Sequence, residues 1–133
     1  MKSILVVLII GISLVSCAQG KSSGSAPTET EVKSLEGKTQ RVSKEEFKAF
    51  MESNKVQIVD VRTPDEFSAG NINGAVNFDF YSESFKTSIQ TLDKNQPVLI
   101  YCKSGGRSSQ ALEIMKSLGF TTVLELEGGY SNW

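Results

Sequence analysis

The sequence contains no histidine. That absence removes Ser-His-Asp and Cys-His catalysis and every His-ligated metal centre, so any nucleophile here must be activated by backbone dipoles and by Lys or Arg. Cysteine is scarce as well: Cys17 and Cys102 are the only two. There is no surplus of positive charge. Formal net charge is -1, no basic stripe runs along the chain, and nucleic acid is not expected as a partner. Internal repeats and heptads are lacking too. With 133 residues, 39% hydrophobic and 22% charged, the chain has enough apolar matter for one core and too little length for two domains.

What is present begins with an apolar run. Lys2 forms a short positive region, Ile4 to Ile10 an apolar stretch, and Leu14-Val15-Ser16-Cys17 closes it with small residues, which is the pattern of an export signal over 1–17. Gly11, Ser13 and Ser16 interrupt it too early for a membrane-spanning helix. The Leu-x-Ser-Cys ending resembles a bacterial lipoprotein signal, which implies lipid attachment at Cys17, export, and anchorage to a bacterial membrane facing the periplasm. Plain cleavage, for instance after Ala18, is the alternative. Either route leaves Cys102 as the one free thiol and excludes a thioredoxin-like dithiol. Residues 18–39 are rich in Ser, Gly, Lys, Thr and Glu and read as a flexible linker, with the folded domain expected over 40–133.

Within that domain, apolar strands alternate with helical patterns. Ser43-Lys44-Glu45-Glu46 is a capping box opening a helix with Phe47, Phe50 and Met51 on one face. Val56 to Val61 reads as a strand. Thr63-Pro64-Asp65-Glu66 is a second capping box, starting a short helix that stops at Gly70. Ala75 to Phe78 is a short strand, Ser82 to Gln90 a helix, Val98 to Tyr101 a strand, Ser108 onward a helix closed by Gly119, and Thr121 to Leu126 a final strand. This order predicts an α/β single domain, a parallel sheet flanked by helices, with its site at the carboxyl ends of strands.

Cys102 lies at such an end. In Tyr101-Cys102-Lys103-Ser104-Gly105-Gly106-Arg107-Ser108 the thiol follows an apolar strand and precedes a helix. Gly105 and Gly106 can adopt the positive φ values that aim successive N–H groups at one point, and the helix behind adds its positive end. The resulting concavity suits a thiolate or an oxyanion. An inert buried cysteine is the alternative, disfavoured by these neighbours. Lys103 and Arg107 are candidates for binding an anionic donor, Arg107 by gripping two oxygens at once. Ser104 and Ser108 supply hydroxyls. Asp60, Arg62 and Glu66 are expected to be structural, the first two as a strand-end ion pair and the third as a helix cap. Phe78, Phe80, Tyr130 and Trp133 are expected in the core or the pocket wall.

Three segments in order carry a resemblance to the rhodanese-like (thiosulfate sulfurtransferase) family: Val59 to Phe67, Gly70 to Asn77, and Tyr101 to Ser108. It covers about residues 41–133 and departs at Asn71, where the family commonly has His. The resemblance implies a rhodanese-like fold and a catalytic Cys102 whose loop, residues 103–108, cradles a persulfide. It also implies a small-molecule sulfur donor such as thiosulfate, a cyanide, thiol or protein acceptor, and no cofactor or metal. Cys102 to Arg107 is Cys-x4-Arg. The phosphatases that share the fold have one residue more, so the shorter loop favours sulfur over phosphate. A non-enzymatic binding or persulfide-carrier module is the rival expectation.

Overall fold

The computed structural model describes residues 26–133. The segment expected to be an export signal, Cys17 included, lies outside the described residues. Eleven elements follow: α1 (Glu29–Lys33), β1 (Thr39–Val42), α2 (Lys44–Ser53), β2 (Gln57–Asp60), α3 (Pro64–Ser68), β3 (Ala75–Asn77), α4 (Phe85–Ile89), β4 (Val98–Tyr101), α5 (Gly106–Ser117), β5 (Val123–Leu126) and a 3₁₀ turn (Gly129–Asn132). The strands form one five-stranded parallel sheet in the order β1-β5-β4-β2-β3. Every crossover therefore carries at least one helix, as parallel pairing requires.

Both faces of the sheet are covered, and the period-two alternation of the strands sorts their side chains between two cores. On one face Val59, Val98, Ile100 and Val123 meet Phe85 and Ile89 of α4 and Ala111, Leu112 and Met115 of α5. On the other, Ile58, Leu99, Tyr101 and Leu124 meet Phe47 and Phe50 of α2. Val32 and Leu35 join this second core. Phe78 and Phe80 pack on the first core, Tyr130 and Trp133 on the second. Trp133 sets its ring edge-on to Phe47, with centroids 6.0 Å apart.

The linker expected over 18–39 is corrected where it is described. Thr28 caps α1 through a capping box with Glu31, Val32 and Leu35 are buried, and Thr39 opens an edge strand. Two apolar side chains are too few to reveal a helix in a polar stretch. Packing on α2 supplies what local propensity lacks. The strand Val98–Tyr101 and the helix starts at Ser43 and Thr63 stand as read, and the boundaries that move do so by one to three residues. The Ser82–Gln90 helix shrinks to Phe85–Ile89, and the last helix begins two residues early, at Gly106.

The loops at the carboxyl ends of β2 and β4 come together because those strands are neighbours. Register pairs Asp60 with Tyr101, and Val61 N–H donates to Tyr101 O at 3.0 Å. The two segments flanking this junction, Val61 to Thr63 and Cys102 to Gly105, build the site.

Candidate active site

Cys102 is the first residue after β4 and is 1% exposed. Three residues later Gly105, at φ 109°, caps α5 and turns its N–H back onto the sulfur, donating to Cys102 Sγ at 3.0 Å. An L side chain rarely adopts that φ, so the turn depends on glycine. Ser108, in the first turn of α5, places its hydroxyl 3.3 Å from the same sulfur. Burial pushes the Cys102 thiol up. Hydrogen bonds from the Ser108 hydroxyl and from the amides of Ser108, Gly105 and Ser104 outweigh it and hold the pKa below the ordinary thiol value. The sulfur therefore has the attributes of a nucleophile.

The far side of the loop is pinned by the 3₁₀ turn. Tyr130 N–H donates to Cys102 O at 2.7 Å and Ser131 N–H to Lys103 O at 3.0 Å. Gly129 makes this approach feasible, since a Cβ there would sit 2.5 Å from Cys102 O and 2.6 Å from Lys103 O. Lys103 and Ser104 are exposed on the loop crest. Beside Lys103 opens a cleft of about 200 Å³, lined also by Arg62, Glu66, Ala69, Gly70 and Tyr130.

Arg107 is placed differently from expectation. The fork predicted to grip a donor's oxygens grips Glu66 instead, with Nη1 to Oε2 at 2.7 Å and Nη2 to Oε1 at 2.9 Å. The Arg107 guanidinium, with the Thr63 hydrogen bonds, holds the Glu66 carboxyl at about 2 against the opposing effect of burial. Glu66 raises the Arg107 pKa in turn. Tyr81, 70% exposed, lies against the outer face of this guanidinium, 5.7 Å from its ring centre. Glu66 does cap α3, accepting from Thr63 N–H at 3.1 Å, and so performs a second task that its capping pattern hid.

Asp60 and Arg62 form the expected ion pair, buried at both partners, with Nη2 to Oδ2 at 2.6 Å. Arg62 also donates to Gly70 O and lies 4.2 Å from the Tyr130 ring centre, tying the β2 loop to the 3₁₀ turn. Asn71 is exposed and donates to Phe67 O within its own turn. It points no chemistry at the sulfur.

One group escaped sequence reasoning. Glu125, 1% exposed in the otherwise apolar β5, accepts from Arg41 Nε at 3.1 Å, from Arg41 Nη2 at 3.2 Å and from Ser108 Oγ at 2.7 Å. The signal was available: a carboxylate inside a buried parallel strand must be paired with something. Among the described residues no group of three or more acidic or sulfur side chains is arranged to hold a metal ion.

Comparison with known proteins places these features. The sequence profile of the rhodanese-like domain matches residues 43–133. The chain is 36% identical over 93 residues to the uncharacterized protein YqhL of Bacillus subtilis, an alignment spanning 69% of this chain and 70% of that one. It is 35% identical over 82 residues to the thiosulfate sulfurtransferase GlpE of Shewanella oneidensis, spanning 62% and 79%. Among solved structures it is similar to the human single-domain sulfurtransferase TSTD1, with a TM-score of 0.59 and 27% identity over 70% of this chain and 93% of the other.

Proposed function

This chain belongs to the rhodanese-like domain family, and on that premise we propose that it is a sulfurtransferase that carries a sulfane sulfur as a persulfide on Cys102. The observation that carries the reading is the convergence of the Gly105 N–H and the Ser108 hydroxyl on one sulfur at the carboxyl end of β4. Thiosulfate sulfurtransferases among its relatives support it.

The reaction has two steps. Cys102 thiolate attacks the outer sulfur of thiosulfate, the S–S bond of the donor breaks with its electron pair leaving on sulfite, and Cys102 persulfide anion remains. A nucleophilic acceptor, cyanide or a thiolate, then attacks the outer sulfur and the thiolate is restored. Charge balances in each step without an added proton. The amides of Ser104, Gly105 and Ser108 and the Ser108 hydroxyl stabilise the bound sulfur anion. Lys103, on the rim, attracts the anionic donor, and Arg107 adds positive potential that Glu66 partly cancels.

That cancellation favours a second reading, a persulfide carrier that serves a protein acceptor and turns over small donors slowly. Intact mass of the protein before and after thiosulfate, beside Cys102→Ala, tests the first step. The expected result is a gain of one sulfur atom, removed by cyanide and absent from a folded C102A variant. Loading at full level in C102A would overturn the assignment. A persulfide that forms but passes only to a protein thiol would select the carrier reading.

The N-terminal pattern supports a further part of the proposal: lipidation at Cys17 tethers the domain to a bacterial membrane, facing the periplasm. Palmitate labelling in cells should be present in the native chain and lost in Cys17→Ala. Labelling that survives C17A would refute the anchor.

A further inference from the structure

Ser108 has one hydroxyl proton and two acceptors for it. Glu125 Oε1 lies 2.7 Å from Ser108 Oγ and Cys102 Sγ lies 3.3 Å from it. A hydroxyl can donate to only one of them at a time. The shorter contact is in the range of a charge-assisted O–H···O⁻ bond, which is roughly twice as strong as a neutral one. While Cys102 is a thiol, the proton therefore points to the Glu125 carboxylate, and Ser108 offers the sulfur only a lone pair. A lone pair can accept from a thiol S–H. Toward a thiolate it is repulsive.

We propose that Glu125 is a positioning residue that sets the protonation state of Cys102 by competing with the sulfur for the Ser108 proton. In the thiol state the chain runs from the Cys102 S–H to Ser108 Oγ, and from the Ser108 O–H to the Glu125 carboxylate. When the sulfur proton leaves to solvent, the Ser108 O–H turns to the sulfur, and Glu125 keeps the two hydrogen bonds of Arg41. No electrons move and one proton is released. Arg41 makes the turn feasible. Its side chain is 49% exposed and reaches Glu125 from the edge strand β1 through both Nε and Nη2, so the carboxylate is not orphaned. The same pair fills the space beneath the Cys102 loop, where a Cβ on Gly105 would lie 3.5 Å from Arg41 Nη2 and 3.6 Å from Glu125 Oε1. Glu125 and Arg41 also line a groove beside α5 with Ser109, Gln110, Glu113 and Ile114.

The charges facing Cys102 are few. Arg107 on α5 is paired with Glu66 of α3, Arg41 on β1 is paired with Glu125 and lies near Glu127, and Lys103 stands on the loop crest. Glu125 is the acidic group that shares a hydrogen-bond donor with the sulfur.

The inference rests on Cys102 being the nucleophile proposed above, yet it is read on the thiol itself, so a failure of sulfur loading and a failure of this coupling are separate results. The measurement is the pH dependence of Cys102 alkylation in the native chain, in Glu125→Gln, in Ser108→Ala and in the double variant. Circular dichroism confirms the fold in each. Glu125→Gln is expected to lower the apparent thiol pKa by about one unit, the scale of one charge-assisted hydrogen bond gained by the thiolate. In the Ser108→Ala background the same substitution should move it by less than half as much. Arg41→Gln, at a half-exposed position, should raise it by leaving Ser108 as the sole donor to Glu125. An unmoved pKa in E125Q, or an equal displacement in both backgrounds, would overturn the proposal, because the second result is a through-space charge effect with no part for Ser108. If E125Q does not fold, an R41Q variant with an unchanged or lowered pKa overturns it equally.

Discussion

At the scale of single residues, the site is held by ion pairs buried to different depths. Asp60 and Arg62 are both sealed from solvent, and Asp60 accepts from the Arg62 backbone N–H at 2.8 Å as well as from its guanidinium. Removing one partner strands the other charge in an apolar surround, which costs far more than the pair contributes as a whole. Asp60→Ala is therefore expected to lower unfolding free energy by about 3–5 kcal/mol, measured by urea denaturation. A loss of under ~1 kcal/mol would show that water reaches Arg62. The sequence revealed this pair because its members are two residues apart at the end of a strand. It concealed Arg107–Glu66 and Arg41–Glu125, whose members stand 41 and 84 residues apart and meet only once the sheet is assembled. Local spacing carries no information about such partners.

Secondary elements were legible wherever their signals are local. The capping boxes at Ser43 and Thr63 form as read, each side-chain oxygen accepting from the N–H three residues on. Apolar runs became β2, β4 and β5 for the same reason. The elements that escaped, α1 and β1, draw their stability from distant surfaces. A prediction at this scale concerns the 3₁₀ turn. Gly129 takes φ 62° and has backbone oxygens within 2.6 Å of where a Cβ would be, and backbone cannot move aside as a flexible side chain can. Gly129→Ala should combine the strain of a left-handed residue, of order 1–3 kcal/mol, with loss of the Tyr130 N–H bond to Cys102 O. Thermal unfolding reads the first effect. The second should appear as a slower rate of persulfide formation in the fraction that remains folded, and a rate equal to that of the native protein would deny the turn any part in shaping the loop.

Taken whole, the molecule ties its stability to acid through α3. The Glu66 carboxyl has a folded pKa of about 2 against an ordinary 4.5, so its contribution is complete above 4.5 and drains away as pH falls toward 2. Urea midpoints collected between pH 5 and pH 2 should decline, and Glu66→Gln should flatten part of that decline. A slope identical in the two proteins would mean that other carboxylates govern acid unfolding. The sheet order has a consequence in time. Among the described strands β1 is synthesised first, yet the strand it pairs with is β5, the last of them. The strand must wait for a partner 84 residues downstream, while β2, β3 and β4 can already pair among themselves. Closing so long a loop is entropically slow, which places β1 late on the folding route. Val42→Ala, at the one buried position of β1, should then speed unfolding and leave the folding rate nearly untouched in a stopped-flow chevron. Until that last zipper closes, Arg41 is absent from Glu125, so the nascent domain owns its thiol before it owns the means of tuning it.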